Sequence, residues 1–277
     1  MTAAIAPIRL LVSDIDGTLV TPDKQLTPAA VAAAAALKAA GVIFTIVSSR
    51  PPRGMAALIQ ALGIDAPVAG FNGGAIAAPD LRVLERLTVP TDAARAALQL
   101  FDQQGIGAWV FARDQWWLRD PDGPKVGLER RTVGFDPSVT PDFEAVIGEI
   151  DKIVGVSEDH GLLGRVEVQA QQRLEGRAAA VRSQPYYLDV THRDANKGHA
   201  VRALCRRLGV DPANLAVIGD MGNDVSMFVE AGLAIAMGQA DEAVRRKADA
   251  VTAANTEDGF AKAARTLVLP RAPGPAP

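Results

Sequence analysis

Three apolar runs in this chain stop abruptly at small or acidic polar residues: Leu10–Ser13 before Asp14, residues 42–47 before Ser48, and Leu215–Gly219 before Asp220. Runs this short, bounded by turn residues and followed by helical patterns, predict strands of a parallel sheet buried on both faces. The polar residues then stand together at the carboxyl ends of strands. Thr27-Pro28, an Ala-rich stretch and Gly41 form a helix signature with an N-cap, proline at the first position and a terminating glycine. After Lys197 the alternation returns: a helix to Leu208, the strand ending at Asp220, a helix to Ala231, a short strand over 233–237 and a helix from Asp241. Residues 1–81 and 191–269 therefore predict one α/β domain, a Rossmann-like doubly wound parallel sheet.

The middle has a different texture. Strand-like pieces at 84–89, 108–112, 115–119, 153–156 and 186–190, with helices over 91–103 and from 141–147, predict an inserted α+β domain over 82–190, hinged near 78–82 and 190–194. Residues 270–277 are mostly Pro, Gly and Ala and predict a disordered tail.

Composition removes several function classes. A chain of 277 residues that is 48% apolar carries a core and excludes disorder as its dominant state. Lys and Arg number 29 against 32 Asp and Glu, net −3, so no global positive field exists to hold nucleic acid or an anionic membrane surface. The single cysteine, Cys205, excludes an intramolecular disulfide and a multi-thiolate zinc site; sharing a helical face with Val201 and Leu208, it reads as a buried thiol. His160, His192 and His199 are not paired at ligand spacing, so any metal should be a hard cation held by oxygen. The N-terminus has no basic region leading into an uninterrupted apolar stretch, and the Ala-rich run of 31–40 falls short of the ~20 residues a bilayer span needs. A cytoplasmic protein without nucleic-acid or membrane partners is expected.

Chemistry concentrates at the strand ends. In Asp14-Ile15-Asp16-Gly17-Thr18, carboxylates two apart leave a strand for a loop that the turn at Gly17 can aim at one point, one to attack and one to move protons. Gly219-Asp220-Met221-Gly222-Asn223-Asp224 adds two acids and an amide at a second strand end. Four carboxylates there repel one another unless a divalent cation sits among them, and the oxygen-rich set suits Mg2+. Ser48-Ser49-Arg50 offers hydroxyls and a guanidinium, while Lys197-Gly198 opens a helix whose N-terminus adds its field to the ammonium. Each piece alone also admits a plain reading: solvated turn acids, an acidic loop capping a helix, serines closing a turn, a surface lysine.

Taken together and in this order, the four motifs resemble the haloacid dehalogenase superfamily of aspartate-nucleophile phosphatases, over residues 8–80 and 190–268. A large insert between Ser48 and Lys197 resembles the C2 cap of the Cof-type subfamily, class IIB. Phe71-Asn72-Gly73-Gly74 and Asn255-Thr256-Glu257-Asp258-Gly259 are further local likenesses. The resemblance implies Asp14 as nucleophile forming an aspartyl-phosphate, Asp16 as acid and then base, and Lys197 as a catalytic cation. It implies Thr18, Ser48, Ser49, Arg50, Asn72, Lys197 and Asn223 around phosphate or substrate. For Mg2+ it implies Asp14, Asp16 (through its carbonyl), Asp220 and Asp224. The second motif departs from the usual Thr-Gly-Arg, and Ser49 would be strained wherever the fold demands φ > 0.

The expected activity is Mg2+-dependent hydrolysis of small phosphorylated metabolites, sugar phosphates or phosphorylated cofactors, by a monomer or homodimer. A phosphomutase of phosphomannomutase type and a catalytically silent metabolite-binding module stay open as alternatives. Selectivity should reside in the insert, whose notable residues are Trp116-Trp117 and Arg119. On a strand, adjacent tryptophans point to opposite faces, so at most one should meet the cleft.

Overall fold

The structure, a computed structural model, describes residues 6–274. The chain starts with β1 (Leu10–Ser13), α1 (Pro28–Ala39), β2 (Ile43–Ile46) and α2 (Ala56–Leu62). A three-stranded antiparallel sheet follows, β3 (Val68–Gly70), β4 (Ala75–Ala77) and β5 (Val83–Arg86). The insert contributes α3 (Thr91–Gln104), β6 (Gly107–Ala112), β7 (Gln115–Leu118), α4 (Val126–Val133), β8 (Ser138–Val139), β9 (Ile150–Val156), α5 (His160–Arg173), β10 (Ala178–Gln184) and β11 (Tyr187–His192). The chain then returns through α6 (Lys197–Leu208), β12 (Leu215–Gly219), α7 (Val225–Phe228), β13 (Leu233–Ala236), α8 (Glu242–Arg245), β14 (Ala250–Val251) and α9 (Gly259–Ala263).

The core sheet is wholly parallel, in the order β14-β13-β12-β1-β2, with Leu10 facing Leu215 on one side and Ile43 on the other. Alternation along each strand divides its side chains between two helical layers. Leu11, Ala216, Ile218 and Ile235 pack under α1, α2 and α9, while Leu10, Val12, Val217 and Ala234 pack under α6 and α7. Thr27 caps α1, its hydroxyl accepting from the Ala30 N–H at 3.1 Å. This is the doubly wound α/β arrangement expected from the apolar runs.

The insert forms one six-stranded sheet, β10-β11-β9-β6-β7-β8, antiparallel except for β7 with β8. Helices α3 and α5 cover one face, burying Val110, Ile153, Leu188 and Val190. The other face carries Trp109, Phe111, Trp116, Val154 and Tyr187, and it packs on α4 and on Phe71 and Ala75 of the core side. An aromatic layer therefore joins cap to core, with Phe71 and Phe111 ring centroids 5.8 Å apart.

Several expectations are corrected in detail. The strand at 83–86 completes the small sheet with β4 rather than joining the cap, so the first crossing lies at 87–90, not 78–82; there Leu87 N–H donates to Gly74 and Val89 N–H to Ile150. The returning strand runs to His192, two residues past the expected boundary. No α-helix starts over 141–147, where only a 3-10 turn at Glu144–Val146 forms. The start of the expected disordered tail is ordered: Leu269–Arg271 make a 3-10 turn and Arg271 O accepts from Ile8 N–H at 2.8 Å, an edge contact that Pro- and Gly-rich composition does not reveal. Residues 275–277 lie outside the described residues. Cys205 is buried within α6, and burial pushes its thiol up to about 11.

Candidate active site

Asp14 leaves β1 with its N–H donating to Ile218 O, which carries the strand ladder up to the first acid. Lys197 is the first residue of α6, set there by Asn196, whose side chain accepts from the His199 N–H at 2.8 Å. The Lys197 ammonium, 2% exposed, donates to Asp14 Oδ1 and to Asp224 Oδ1, each at 2.5 Å. The other oxygen of Asp224 accepts from the N–H groups of Asp220 and Met221 at 2.9 and 2.8 Å, which ties the β12 loop to the lysine. Thr18 Oγ1 donates to Asp220 Oδ1 at 3.3 Å. At Gly17, φ is +89° and a Cβ would stand 2.2 Å from Asp220 Oδ2, so only glycine lets the two loops meet.

Carboxylate oxygens of Asp14, Asp220 and Asp224 all lie within 4.8 Å of one another. Burial raises Asp14 well above the usual carboxylate range; Lys197 opposes this, and the charges of Asp224 and Asp220 add to it. Asp220 is pushed up to about 6 by burial and then by Asp224. Lys197 is raised despite its burial, because Asp14 and Asp224 hold the proton on it. One lysine faces three carboxylates here, a hard-oxygen donor set with an excess of negative charge that fits a divalent cation.

Asp16 faces different partners. Its carboxylate accepts from Arg50 Nε at 2.8 Å and Nη2 at 2.6 Å, and from Lys24 Nζ at 2.7 Å. Burial works against its ionisation, yet Arg50 and Lys24 hold it down at about 2. The Arg50 guanidinium, expected around phosphate, is thus bidentate on Asp16 and also donates to Thr132 O at the end of α4. Ser48 is buried, with its hydroxyl accepting from Arg50 N–H and its carbonyl from Asn72 N–H. Ser49 does not occupy the left-handed region, so the strain expected there is absent. The left-handed backbone sits instead at Phe71 and Asn72, with φ of 51° and 56°, followed by Gly73 at 97°, which glycine adopts without strain. A Cβ on Gly73 would meet Asn196 O at 2.7 Å, so this turn abuts the cap of α6. Asn72 Oδ1 accepts from Asn223 Nδ2 at 3.4 Å.

Two cavities flank these groups. One, about 290 Å³, is lined by Lys197, Asn72 and Asn223 of the core and by Val181, Asp189 and Thr191 of the cap. A smaller one, about 70 Å³, lies against Asp16, Arg50, Glu129, Lys152 and Tyr187. Trp116 and Trp117 point to opposite faces as expected, but neither they nor Arg119 line either cavity. Trp116 is fully buried between Trp109 and Phe111, Trp117 packs toward the cap helices, and Arg119 pairs with Asp102. Among the cap residues that reach the cavities, Lys152 and Asp189 carry a readable signal: each is a charge next to apolar residues within a strand. Lys24 carried none, being one more lysine in a polar loop.

The sequence pattern of the haloacid dehalogenase-like hydrolases matches residues 11–263. The chain belongs to that family. This haloacid dehalogenase-like hydrolase is 31% identical over 232 residues to the HMP-PP phosphatase of Cronobacter sakazakii, covering 84% of this chain and 85% of the relative. It is 26% identical to the pyridoxal phosphate phosphatase of Escherichia coli, covering 92% and 96%. Its fold matches that of a subclass IIB sugar phosphatase with a TM-score of 0.83 at 24% identity, covering 94% of this chain and 99% of the other. The haloacid dehalogenase assignment and the Rossmann-like core with its inserted cap thus hold for this chain. Among the described residues no helix is long and apolar enough to cross a membrane.

Proposed function

We propose that this hydrolase is a cytoplasmic, Mg2+-dependent phosphatase of small phosphorylated metabolites that works through an aspartyl-phosphate on Asp14. The observation that supports this reading most strongly is the buried lysine shared by Asp14 and Asp224 with Asp220 in reach, since phosphoryl transfer needs an in-line nucleophile and concentrated positive charge more than covalent machinery. An Asp14 oxygen attacks phosphorus as the ester P–O bond breaks, and the leaving alkoxide takes a proton from Asp16. Asp16 then takes a proton from the water whose oxygen attacks the acyl-phosphate, releasing inorganic phosphate and restoring the Asp14 carboxylate. Lys197 and Ser48 hold phosphoryl oxygens in both steps.

Asp16 cannot donate a proton while Arg50 and Lys24 hold it ionised. An arriving phosphate dianion competes for both cations, and in doing so it releases Asp16 for protonation. Asp14, Asp220 and the Asp16 carbonyl would hold Mg2+, which supplies charge neutralisation for the transferring group. Both oxygens of Asp224 already accept hydrogen bonds, so its part is to fix Lys197 and the β12 loop. The substrates named for the two relatives differ from each other, so this chain is assigned a substrate class only.

Phosphate release from p-nitrophenyl phosphate and from a panel of phosphorylated metabolites tests the reading. EDTA should silence release, Mg2+ restore it, and Ca2+ restore it poorly because its larger, looser shell misplaces nucleophile and phosphate. Asp14→Asn should lower turnover by at least ~10³-fold with the fold retained. Full activity in metal-free buffer, or near-native activity of Asp14→Asn, would refute it.

A further inference from the structure

The larger cavity is polar in an uneven way. Its core wall carries Lys197, assigned above to phosphate, while its cap wall is made by β10 and β11, with Ala179 opposite Thr191 and Val181 opposite Asp189, and with Arg182 and Ser183 beside them. Among the residues lining this cavity Asp189 is the one acid. It is 4% exposed, and only one of its oxygens is occupied, Oδ2 by Lys152 Nζ at 3.3 Å. Oδ1 is buried without any hydrogen-bond partner. Across the same cavity the Asn223 Oδ1 acceptor is likewise buried and unpaired.

Leaving a carboxylate oxygen buried and unpaired costs its desolvation without return, so the fold retains it against a standing penalty. Lys152 limits that penalty without satisfying Oδ1, and it is itself fixed by donating to Ser49 O at 3.0 Å, within the second motif. The placement is therefore rigid: β11 is paired on both sides, by β10 and β9, with Val181 and Val154 as the neighbours of Asp189. Asp189 and Lys197 line one cavity, so a phosphate held by Lys197 would place the group attached to it beside this acceptor.

We propose that Asp189 is a specificity-determining residue that accepts a hydrogen bond from a donor on the leaving alcohol, so that the substrates of this enzyme are phosphate monoesters whose alcohol carries a hydroxyl or ammonium group near the ester. The inference rests on the phosphatase reading above. A site built around a buried acceptor rejects an analogue lacking the donor far more strongly than an apolar pocket rejects an extra group, because the unpaired acceptor remains unpaired. Simple alkyl phosphates are then poor substrates even though they fit.

The test compares kcat/KM of the Mg2+-loaded full chain for glycerol 3-phosphate, phosphoethanolamine and n-butyl phosphate, in the wild type and in Asp189→Ala and Asp189→Asn. The wild type should prefer at least one of the donor-bearing esters over n-butyl phosphate by ~10²-fold or more. Asp189→Ala should shrink that ratio at least tenfold. The near-isosteric Asp189→Asn guards against a folding defect and separates the two donors: its amide oxygen keeps a hydroxyl preference but loses an ammonium preference, and either pattern supports the proposal. A wild type that hydrolyses p-nitrophenyl phosphate but shows no preference over n-butyl phosphate overturns the assignment of Asp189, as does an Asp189→Ala variant that slows all esters by one common factor. A wild type inactive on every ester, p-nitrophenyl phosphate included, overturns the phosphatase reading itself.

Discussion

Lys197 answers two carboxylates with one charge, and a third stands within reach. Its ammonium is buried, so water cannot replace it, and removing it would leave Asp14 and Asp224 facing each other in a low-dielectric site. Lys197→Met should therefore cost about 3–5 kcal/mol of unfolding free energy in metal-free buffer, the range seen when one partner of a buried ion pair is deleted. Added Mg2+ should return part of that loss, since a bound divalent cation takes over the neutralisation and stabilises the folded state by mass action. Urea denaturation with and without Mg2+ measures both effects. A variant as stable as the wild type in EDTA would show that the carboxylates are not held together by this lysine. Asp16 behaves oppositely to Asp14: it is less buried and has two cations to itself, so its carboxyl is depressed, whereas the more deeply buried Asp14 shares one lysine with Asp224 and is raised.

The lysine is only as well placed as the helix that starts with it. Asn196 caps α6 in the extended conformation, and its carbonyl touches the tight turn at Gly73, so one residue registers the helix start and the Phe71–Gly73 loop together. Asn196→Ala should cost about 1 kcal/mol in stability and lower kcat, whereas Asn196→Ser, which restores the capping oxygen, should recover the stability. Thermal unfolding and phosphate release on the same preparations check this; an alanine variant with unchanged stability would remove the cap from the account. Elements such as β1, β12 and α6 were legible in the sequence because an apolar run or a capped 3.6-residue pattern ends on a chemically distinct residue, and those ends are the site. The elements that escaped have physical reasons. Helix α4 starts at Lys125 in the left-handed region with no side-chain cap, and β10, reading Ala-Ala-Ala-Val-Arg-Ser-Gln, lies at the edge of its sheet and lacks a clean apolar alternation. The pairing of Asp16 with Arg50, 34 residues apart, and of Lys152 with Asp189 arises from how strands lie beside one another, which local pattern does not encode.

Across the whole molecule, cap and core are joined by more than the aromatic layer. Arg86 on β5 reaches the cap at Asp114, 2.9 Å away, and at Asp151, 3.2 Å away. Asp151 sits where β9 bulges against β6, the register passing from Phe111 opposite Lys152 to Ala112 opposite Ile150. It is fully buried, neither of its oxygens has a hydrogen-bond partner, and burial raises its carboxyl to about 7, with Arg86 opposing and Asp114 and Glu149 adding to the rise. The folded pKa thus exceeds the ordinary carboxylate value of 3.8. Below pH ~4 both folded and unfolded chains carry the proton and the site imposes no penalty. As pH climbs toward 7 the unfolded chain releases the proton while the folded chain retains it, so the folded state binds more protons and stability falls with pH; above 7 the full penalty persists. A carboxyl raised from 3.8 to about 7 sets the ceiling at about 4 kcal/mol. Asp151→Asn cannot ionise and should escape this slope, so the variant should gain on the wild type between pH 4 and pH 8, up to that ceiling, in denaturant unfolding followed at both values. Differencing the two proteins at each pH cancels the carboxylates they share, including Asp16, whose depressed carboxyl pushes stability the other way under acid conditions. If the variant instead lost ground to the wild type at pH 8, the ion pair with Arg86 would outweigh the burial of Asp151, and the bulge would be a charged clamp between cap and core.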